Sequence, residues 1–175
     1  MRILGIAYIA GSLETQKNLH HGLDHLLEAV ATYTAQQSEA EIEILLETFV
    51  DMSDISKILK QIKLADAVVV SAPTFNLGRV NSFVKRVHHK IELRGKWFGL
   101  IASGVASPFQ IEENSDKVIG SCNRAGMLLV PEAVARINVG GSFESCKVLG
   151  RNAAIALSSM SEWKGRTAWQ EQEAA

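Results

Sequence analysis

AVVVSAPTFNLG, residues 67–78, carries a run of apolar β-branched residues into a proline and then into an aromatic, an amide and a glycine. Val68, Val69 and Val70 are consecutive, the pattern of a parallel strand covered on both faces rather than on one. Pro73 has no backbone donor and ends the ladder. Past the carboxyl end of such a strand, Phe75 offers a π face, the amides of Asn76 to Gly78 offer donors, and Gly78 admits close backbone approach. Pro73, Thr74, Phe75, Asn76, Leu77 and Gly78 thus read as one wall of a slot for a planar, hydrogen-bonding ligand. An ordinary strand-to-helix turn with a packed phenylalanine accounts for the loop equally well, so a second site has to decide.

Outward from this strand, β and α patterns alternate. Ile3 to Ala10 reads as the first strand, followed by a helix from about Lys17 with Leu19, Leu23, Leu26, Leu27 and Val30 on one face. Glu41 to Glu47 alternates apolar and acidic residues, as a strand nearer a sheet edge does, and Ile55, Ile58, Leu59 and Ile62 follow at helical spacing behind a Ser53 cap. After the Val68 strand come a helix from about Asn81, with Val80, Val84, Val87 and Ile91 inward, and a strand over Trp97 to Ala102. A helix over about Phe109 to Ala125 stops at Gly126, Met127 to Val130 form the last strand, and Leu149, Ala153, Ala156, Leu157 and Met160 mark a closing helix. Five such units predict an α/β fold: one three-layer domain over residues 1–160, with a five-stranded parallel sheet in the order 2-1-3-4-5. In that order the ligand crevice lies beyond the carboxyl ends of strands one and three, where the Pro73 loop begins. Residues 161–175, with Trp163 and Trp169 among charges, are expected to be partly disordered or docked on a neighbouring subunit.

Composition excludes several partners. A chain of 175 residues, 47% hydrophobic, is long enough for a core that needs no staples. Its formal net charge of -1 and pI near 6.5 supply no basic field for nucleic acid and no polybasic patch for an anionic membrane. Cys122 and Cys146 are too few for a disulfide framework or a thiolate metal cluster, so a reducing, cytoplasmic compartment is expected. The apolar start MRILGIAYIAGS is short and interrupted by Gly5 and Tyr8, which fits a buried first strand rather than a signal sequence. His21 and His25 stand four apart, but no carboxylate or cysteine motif completes a metal set, so they read as a solvated helix face. His88 and His89, beside Lys85, Arg86 and Lys90 and near Arg79, read as a solvated basic face rather than a nucleotide-phosphate site.

The second wall of the crevice is Gly11-Ser12-Leu13-Glu14-Thr15-Gln16-Lys17-Asn18. It leads into a helix whose first-turn amides lack intrahelical partners, and the macrodipole there favours an anion by about 0.3 to 2 kcal/mol. Gly11 allows close backbone approach, Ser12, Thr15 and Asn18 add short donors, and Lys17 adds charge, so the stretch suits a phosphate. It has neither the Walker spacing nor Gly-x-Gly-x-x-Gly, which weakens triphosphate and dinucleotide readings. Helix capping by Thr15 or Asn18 explains the same residues.

Gly11, Ser12 and Asn18 match a phosphate-loop pattern, Gly-Ser-Pro-x-x-x-x-Asn-Thr, and Ala72-Pro73-Thr74-Phe75-Asn76 through Gly78 with Lys85 is similar to Ser-Pro-x-Tyr-x-Gly before a Lys-bearing helix, one residue longer. Leu149-Gly150-Arg151 with Ala153 and Ala154 looks like a Leu-Gly-Lys/Arg helix start. Through these motifs residues 1–160 resemble the flavodoxin-like NAD(P)H-dependent FMN reductases, a family that includes multimeric flavodoxin-type quinone reductases. The resemblance implies an FMN-dependent oxidoreductase that takes hydride from NADPH or NADH and passes electrons to a quinone, flavin or similar small acceptor. The flavin would carry the chemistry, with no catalytic side chain and no metal. It further implies phosphate on Ser12 to Asn18, with Leu13 in that loop, and the isoalloxazine against Pro73 to Gly78. Ser103, Gly104 and Ser107 would close the site from strand four, with backbone donors at Asn76, Leu77 and Gly104. Relatives often build such sites across subunits, so a homodimer or homotetramer is expected.

Three departures stand against the family pattern: Glu14 where many relatives have an Arg, Leu13 for the usual Pro, and a glycine-poor Ser103-Gly104-Val105-Ala106-Ser107. At about 6 Å and an effective dielectric between 80 and 20, one unit of repulsion from Glu14 costs about 0.7 to 3 kcal/mol, comparable with the helix-terminus attraction. They fit a fold-retaining interaction protein that has lost flavin. A flavodoxin-like electron carrier is the other alternative, although such carriers are strongly acidic. A phosphoacceptor receiver domain would need acidic residues where Ala10-Gly11-Ser12 and Ser71-Ala72-Pro73 stand.

Overall fold

Alternate residues of a strand point to opposite faces, and in the central strands of this chain both sets are apolar. The computed structural model describes residues 1–8, 13–36, 43–49, 55–104, 108–137 and 142–173. Its elements are β1 (Arg2–Tyr8), α1 (Leu13–Gln36), β2 (Glu43–Phe49), α2 (Ile55–Leu64), β3 (Ala67–Pro73), α3 (Leu77–His88), β4 (Trp97–Ser103), α4 (Pro108–Arg124), β5 (Leu128–Ile137) and α5 (Glu144–Glu173), with a short 3-10 turn at Thr74–Asn76. The five strands form one parallel sheet in the order β2-β1-β3-β4-β5.

Two cores follow from the strand alternation. Leu4, Ile6 and Tyr8 of β1, Val68, Val70 and Ala72 of β3, and Phe98, Leu100 and Ala102 of β4 meet Ile58 and Ile62 of α2, Val80, Val84 and Val87 of α3, and Ile111, Val118 and Cys122 of α4. The residues between them, Ile3, Ala7, Ala67, Val69 and Ile101, meet Leu23, Leu26 and Val30 of α1 and Cys146, Leu149, Ala153 and Leu157 of α5. Among the residues whose side chains are described, the periodic positions expected from the sequence lie in or against these cores. Leu27 and Leu59 are packed at the margins, and Ile91 lies just beyond the end of α3.

Three boundaries differ from the sequence reading. α1 begins at Leu13, not about Lys17; Leu13 to Gln16 contain no glycine or proline and are compatible with either a loop or a helix. α3 begins at Leu77, not about Asn81. β5 runs to Ile137 rather than stopping at Val130. Its register jumps from Phe98 opposite Leu129 to Leu100 opposite Val134, and Glu132 within the bulge has φ 54°. Pro131 is tolerated there because β5 is an edge strand. Asn152 Nδ2 donates to the Pro131 carbonyl, and the Ser145 hydroxyl bonds both the amide and the carbonyl of Arg136, so α5 closes over that edge. Residues 161–173, a tail on the sequence reading, continue α5 as helix. No helix among the described residues is long and apolar enough to cross a membrane.

α1 and α5 touch most closely at Gly150, where an added Cβ would strike the Leu26 carbonyl. Gly150→Ala is expected to push the helices apart and cost about 1–3 kcal/mol, read as a lower denaturant midpoint; an unchanged midpoint would refute the close approach. Cys122 and Cys146 are fully buried thiols. Burial pushes Cys122 up to about 12, and pushes Cys146 up to about 11 against a small opposing hydrogen bond from Ser145. Their neutral burial therefore stabilises the fold fully below the unfolded thiol value of 9.0, and that contribution is lost as pH rises toward the folded values. At pH 8 the native protein should take up no iodoacetamide by mass spectrometry and the denatured protein should take up one per cysteine.

Candidate functional site

At the carboxyl edge of the sheet, β1 and β3 lie side by side, paired from Ile3 opposite Ala67 to Ala7 opposite Ser71. α1 leaves β1 toward one core and α3 leaves β3 toward the other, so the switch point of the sheet, where ligands bind in open α/β folds, lies between their first turns. Ser71, fully buried, donates its hydroxyl to the Leu19 carbonyl at 3.2 Å, which locks α1 against β3 below the crevice.

The loop after β3 is tighter than its sequence implies. Pro73 hands the chain directly to the Thr74–Asn76 turn, and the Leu77 amide donates to the Thr74 carbonyl as α3 starts. Thr74, Asn76 and Leu77 are buried, with Leu77 in the core, while Phe75 is 67% exposed and Gly78 faces solvent. A 3-10 turn sends neighbouring side chains in different directions, and here the split leaves the aromatic outward. An added Cβ at Gly78 would meet nothing within 4 Å, so the protein's own packing does not require glycine there. The open space is what a ligand approaching the backbone would use. The Leu77 amide, expected from the sequence to face a ligand, donates within the turn here.

The loop after β4 is built into the same wall. Ser103 is buried and paired opposite Pro73. Gly104 adopts φ 146°, and a Cβ there would sit 2.6 Å from Thr74 Oγ1, so only glycine lets the two loops interlock. Its amide donates a long 3.4 Å hydrogen bond to the Ile137 carbonyl. Ser103, Gly104 and Thr74 therefore join the loops after β3 and β4 at the base of the turn that carries Phe75. Ser107 lies outside the described residues.

On the β1 side, Gly11 and Ser12 also lie outside the described residues. Leu13 and Thr15 are in the first turn of α1, and Lys17 and Asn18 follow in the second. Capping by Thr15 or Asn18 is thereby overturned, because a cap precedes the helix and both residues are inside it. Glu14 is exposed in that first turn, and Lys17 is exposed one turn on.

Three further residues at this edge escape sequence reasoning. Tyr8 ends β1 with its ring in the core, and its hydroxyl accepts a 3.1 Å hydrogen bond from Nη1 of Arg79 in the first turn of α3. Arg79 thus belongs to the crevice rather than to the basic stretch downstream. The available signal is positional: an aromatic with a hydroxyl at a strand end, and a cation directly after Gly78. Phe109, 74% exposed in the first turn of α4, is a second aromatic at the same edge.

The other candidate groups lie elsewhere. Lys85, Arg86 and His88 occupy the last turn of α3, with His89 and Lys90 just beyond, at the opposite edge of the sheet, and all are exposed. His21 and His25 pack against Phe143, with ring centroids 6.0 and 4.8 Å away. Among the described residues no group of three or more His, Cys, Asp or Glu could hold a metal ion. A cavity of about 580 Å³ opens between α1 and α5 beside His25, Tyr33, Lys147 and Arg151, and none of its lining residues comes from the loops after β1, β3 or β4.

Comparison with known proteins agrees with this architecture. The sequence matches no protein-family model and no curated protein. RosB, solved with 8-demethyl-8-formylriboflavin-5'-phosphate bound, superposes with a TM-score of 0.69 at 14% identity, covering 100% of this chain and 88% of that one. Flavodoxin 1 from Bacillus cereus gives a TM-score of 0.60 at 18% identity, covering 87% of this chain and 97% of that one. The apo form of the NADH:FMN oxidoreductase EMOB gives 0.58 at 13% identity, covering 90% and 89%. The fold is flavodoxin-like, shared by flavin oxidoreductases and by flavodoxins.

Gly78→Ala and Phe75→Ala test the wall. Each should leave stability within about 0.5 kcal/mol, because both sites are exposed. Phe75→Ala should weaken binding of a flat heterocycle by about 10-fold or more in a fluorescence titration. Unchanged affinity in Phe75→Ala would remove that ring from the site.

Proposed function

We propose that the chain is an FMN-dependent oxidoreductase that takes reducing equivalents from NADPH or NADH and passes them to a quinone, flavin or similar small acceptor, acting as a homodimer or homotetramer. The observation that carries this reading is Phe75, a large aromatic held 67% exposed at the switch point while Thr74, Asn76 and Leu77 around it are buried. A phenylalanine left outward by a turn whose other members pack inward serves a ligand better than it serves the core.

The residues present fit the group. Phe75 gives a ring a π face to lie on, and Gly78 lets the backbone close on it. Burial of Pro73, Thr74 and Ser103 and the contact of Gly104 with Thr74 fix the backbone of the turn from which Phe75 projects. α1 starts beside the end of β1, and the first-turn amides of a helix favour an anion. Bound at this site, FMN would supply the redox chemistry, accepting hydride from the nicotinamide and giving electrons to the acceptor. The protein's part is then to bind, orient and shield, and it needs no side-chain acid or nucleophile.

Glu14 in the first turn of α1 favours a second reading, a fold-retaining interaction protein without flavin. Purified protein incubated with FMN and freed of excess ligand should keep a flavin spectrum, and anaerobic NADPH or NADH should bleach it. A colourless protein would sink the flavin reading, and a coloured one that neither nicotinamide bleaches would make the chain an electron carrier.

A further inference from the structure

We propose that α5 is a strap over the open edge of the sheet, and that the β5 edge beneath it is a latent surface for strand addition by a second copy of this chain. Neither part depends on flavin binding.

β5 ends the sheet beside β4. An extended residue points its N–H and C=O to the same side and successive residues alternate, so every second residue of an edge strand turns both groups away from the sheet. In β5 the alternation is visible at both ends. The Leu128 amide donates inward to the Lys96 carbonyl, and the Ile137 carbonyl accepts from the Gly104 amide on the β4 side. Arg136, next to Ile137, therefore presents its groups outward. The Ser145 hydroxyl takes both, accepting from the amide at 3.1 Å and donating to the carbonyl at 2.9 Å. One side chain thus makes the pair of bonds that a residue of a sixth, antiparallel strand would make.

The other half of the edge is closed differently. From Phe98 to Leu100 β4 advances two residues while β5 advances five, from Leu129 to Val134, so three extra residues of β5 form the bulge. Pro131 in that stretch has no amide to offer, and Asn152 Nδ2 donates to its carbonyl at 3.0 Å. Glu132, with φ 54°, turns the chain out of the extended form. Ser145 and Asn152 stand seven residues, or two helical turns, apart, so a single face of α5 runs along the edge and meets it at both places.

The strand under the strap is suited to pairing with its own copy. It reads LLVPEAVARI, rich in β-branched and apolar residues, and Leu128 is 42% exposed at its start. Across a two-fold axis two β5 strands run antiparallel, and with Val134 opposite Val134 the exposed Arg136 of each copy comes near the exposed Glu132 of the other. That charge match favours a second copy over an unrelated strand.

The test compares wild type with Ser145→Ala, with Ser145→Ala/Asn152→Ala, and with the latter carrying Arg136→Pro, each first shown by circular dichroism to fold. Sedimentation equilibrium over about a 100-fold range of concentration reads the mass. The double variant should reach about twice the wild-type mass at the top of that range, whatever oligomer wild type forms, and Ser145→Ala alone should move in the same direction. Arg136→Pro removes the outward donor without touching the β4 ladder, and should return the mass to that of wild type. By hydrogen exchange, the Arg136 amide of wild type should be slower than that of Ser145→Ala by about 10-fold or more. Wild-type mass in both alanine variants at every concentration, or added mass that Arg136→Pro leaves in place, would overturn the strand-addition surface. Equal exchange of the Arg136 amide in wild type and Ser145→Ala would overturn the strap.

Discussion

The parallel pairing of β1 with β3 is the constraint on which the rest of the structure depends. The two strands are neighbours in the sheet although β2 separates them in sequence, and their helices leave toward opposite cores. Close-packed layers on both faces require each strand to be apolar on both sides, which Val68, Val69 and Val70 satisfy without interruption. With both faces filled, a ligand can reach the sheet only from its edge. The carboxyl edge between β1 and β3 is where the chain diverges and leaves room. The Ser71 bond to the Leu19 carbonyl and the close approach of Gly150 to Leu26 hold α1 against β3 and α5.

Around this crevice, buried residues determine what the exposed ones can do. Thr74 fills the position a side chain on Gly104 would need, so the loops after β3 and β4 form a single support. Leu77 is drawn into the core and commits its amide to the turn, which leaves Phe75 as the outward member. Tyr8 is held by the core at one end and meets Arg79 at the other. In each pair an exposed residue is placed by a buried neighbour, the arrangement by which a rigid scaffold positions surface groups.

Much of the fold was legible because its signals are periodic. Leu19, Leu23, Leu26 and Val30 predicted the inner face of α1, and Val80, Val84 and Val87 that of α3; all are buried. Strand order followed from the alternation of elements and the handedness of crossovers. Boundaries were less legible. Nothing local marks whether Leu13 to Gln16 extend a loop or begin a helix, and Pro131 reads as a stop unless the strand is known to lie at an edge. In the site, Phe75 and Gly78 were visible as chemistry, whereas the inward turn of Thr74, Asn76 and Leu77 depends on the packing of β4 and α3 against them.

The sequence by itself determined the layers, the direction of the strands and the loop that carries Phe75, because hydrophobic period and turn chemistry act over a few residues. Only the tertiary structure decided which members of that loop face outward, that Gly104 belongs to its support, and that Arg79 meets Tyr8 across 71 residues of chain. Those are contacts between elements that only the sheet brings together, so no local pattern encodes them.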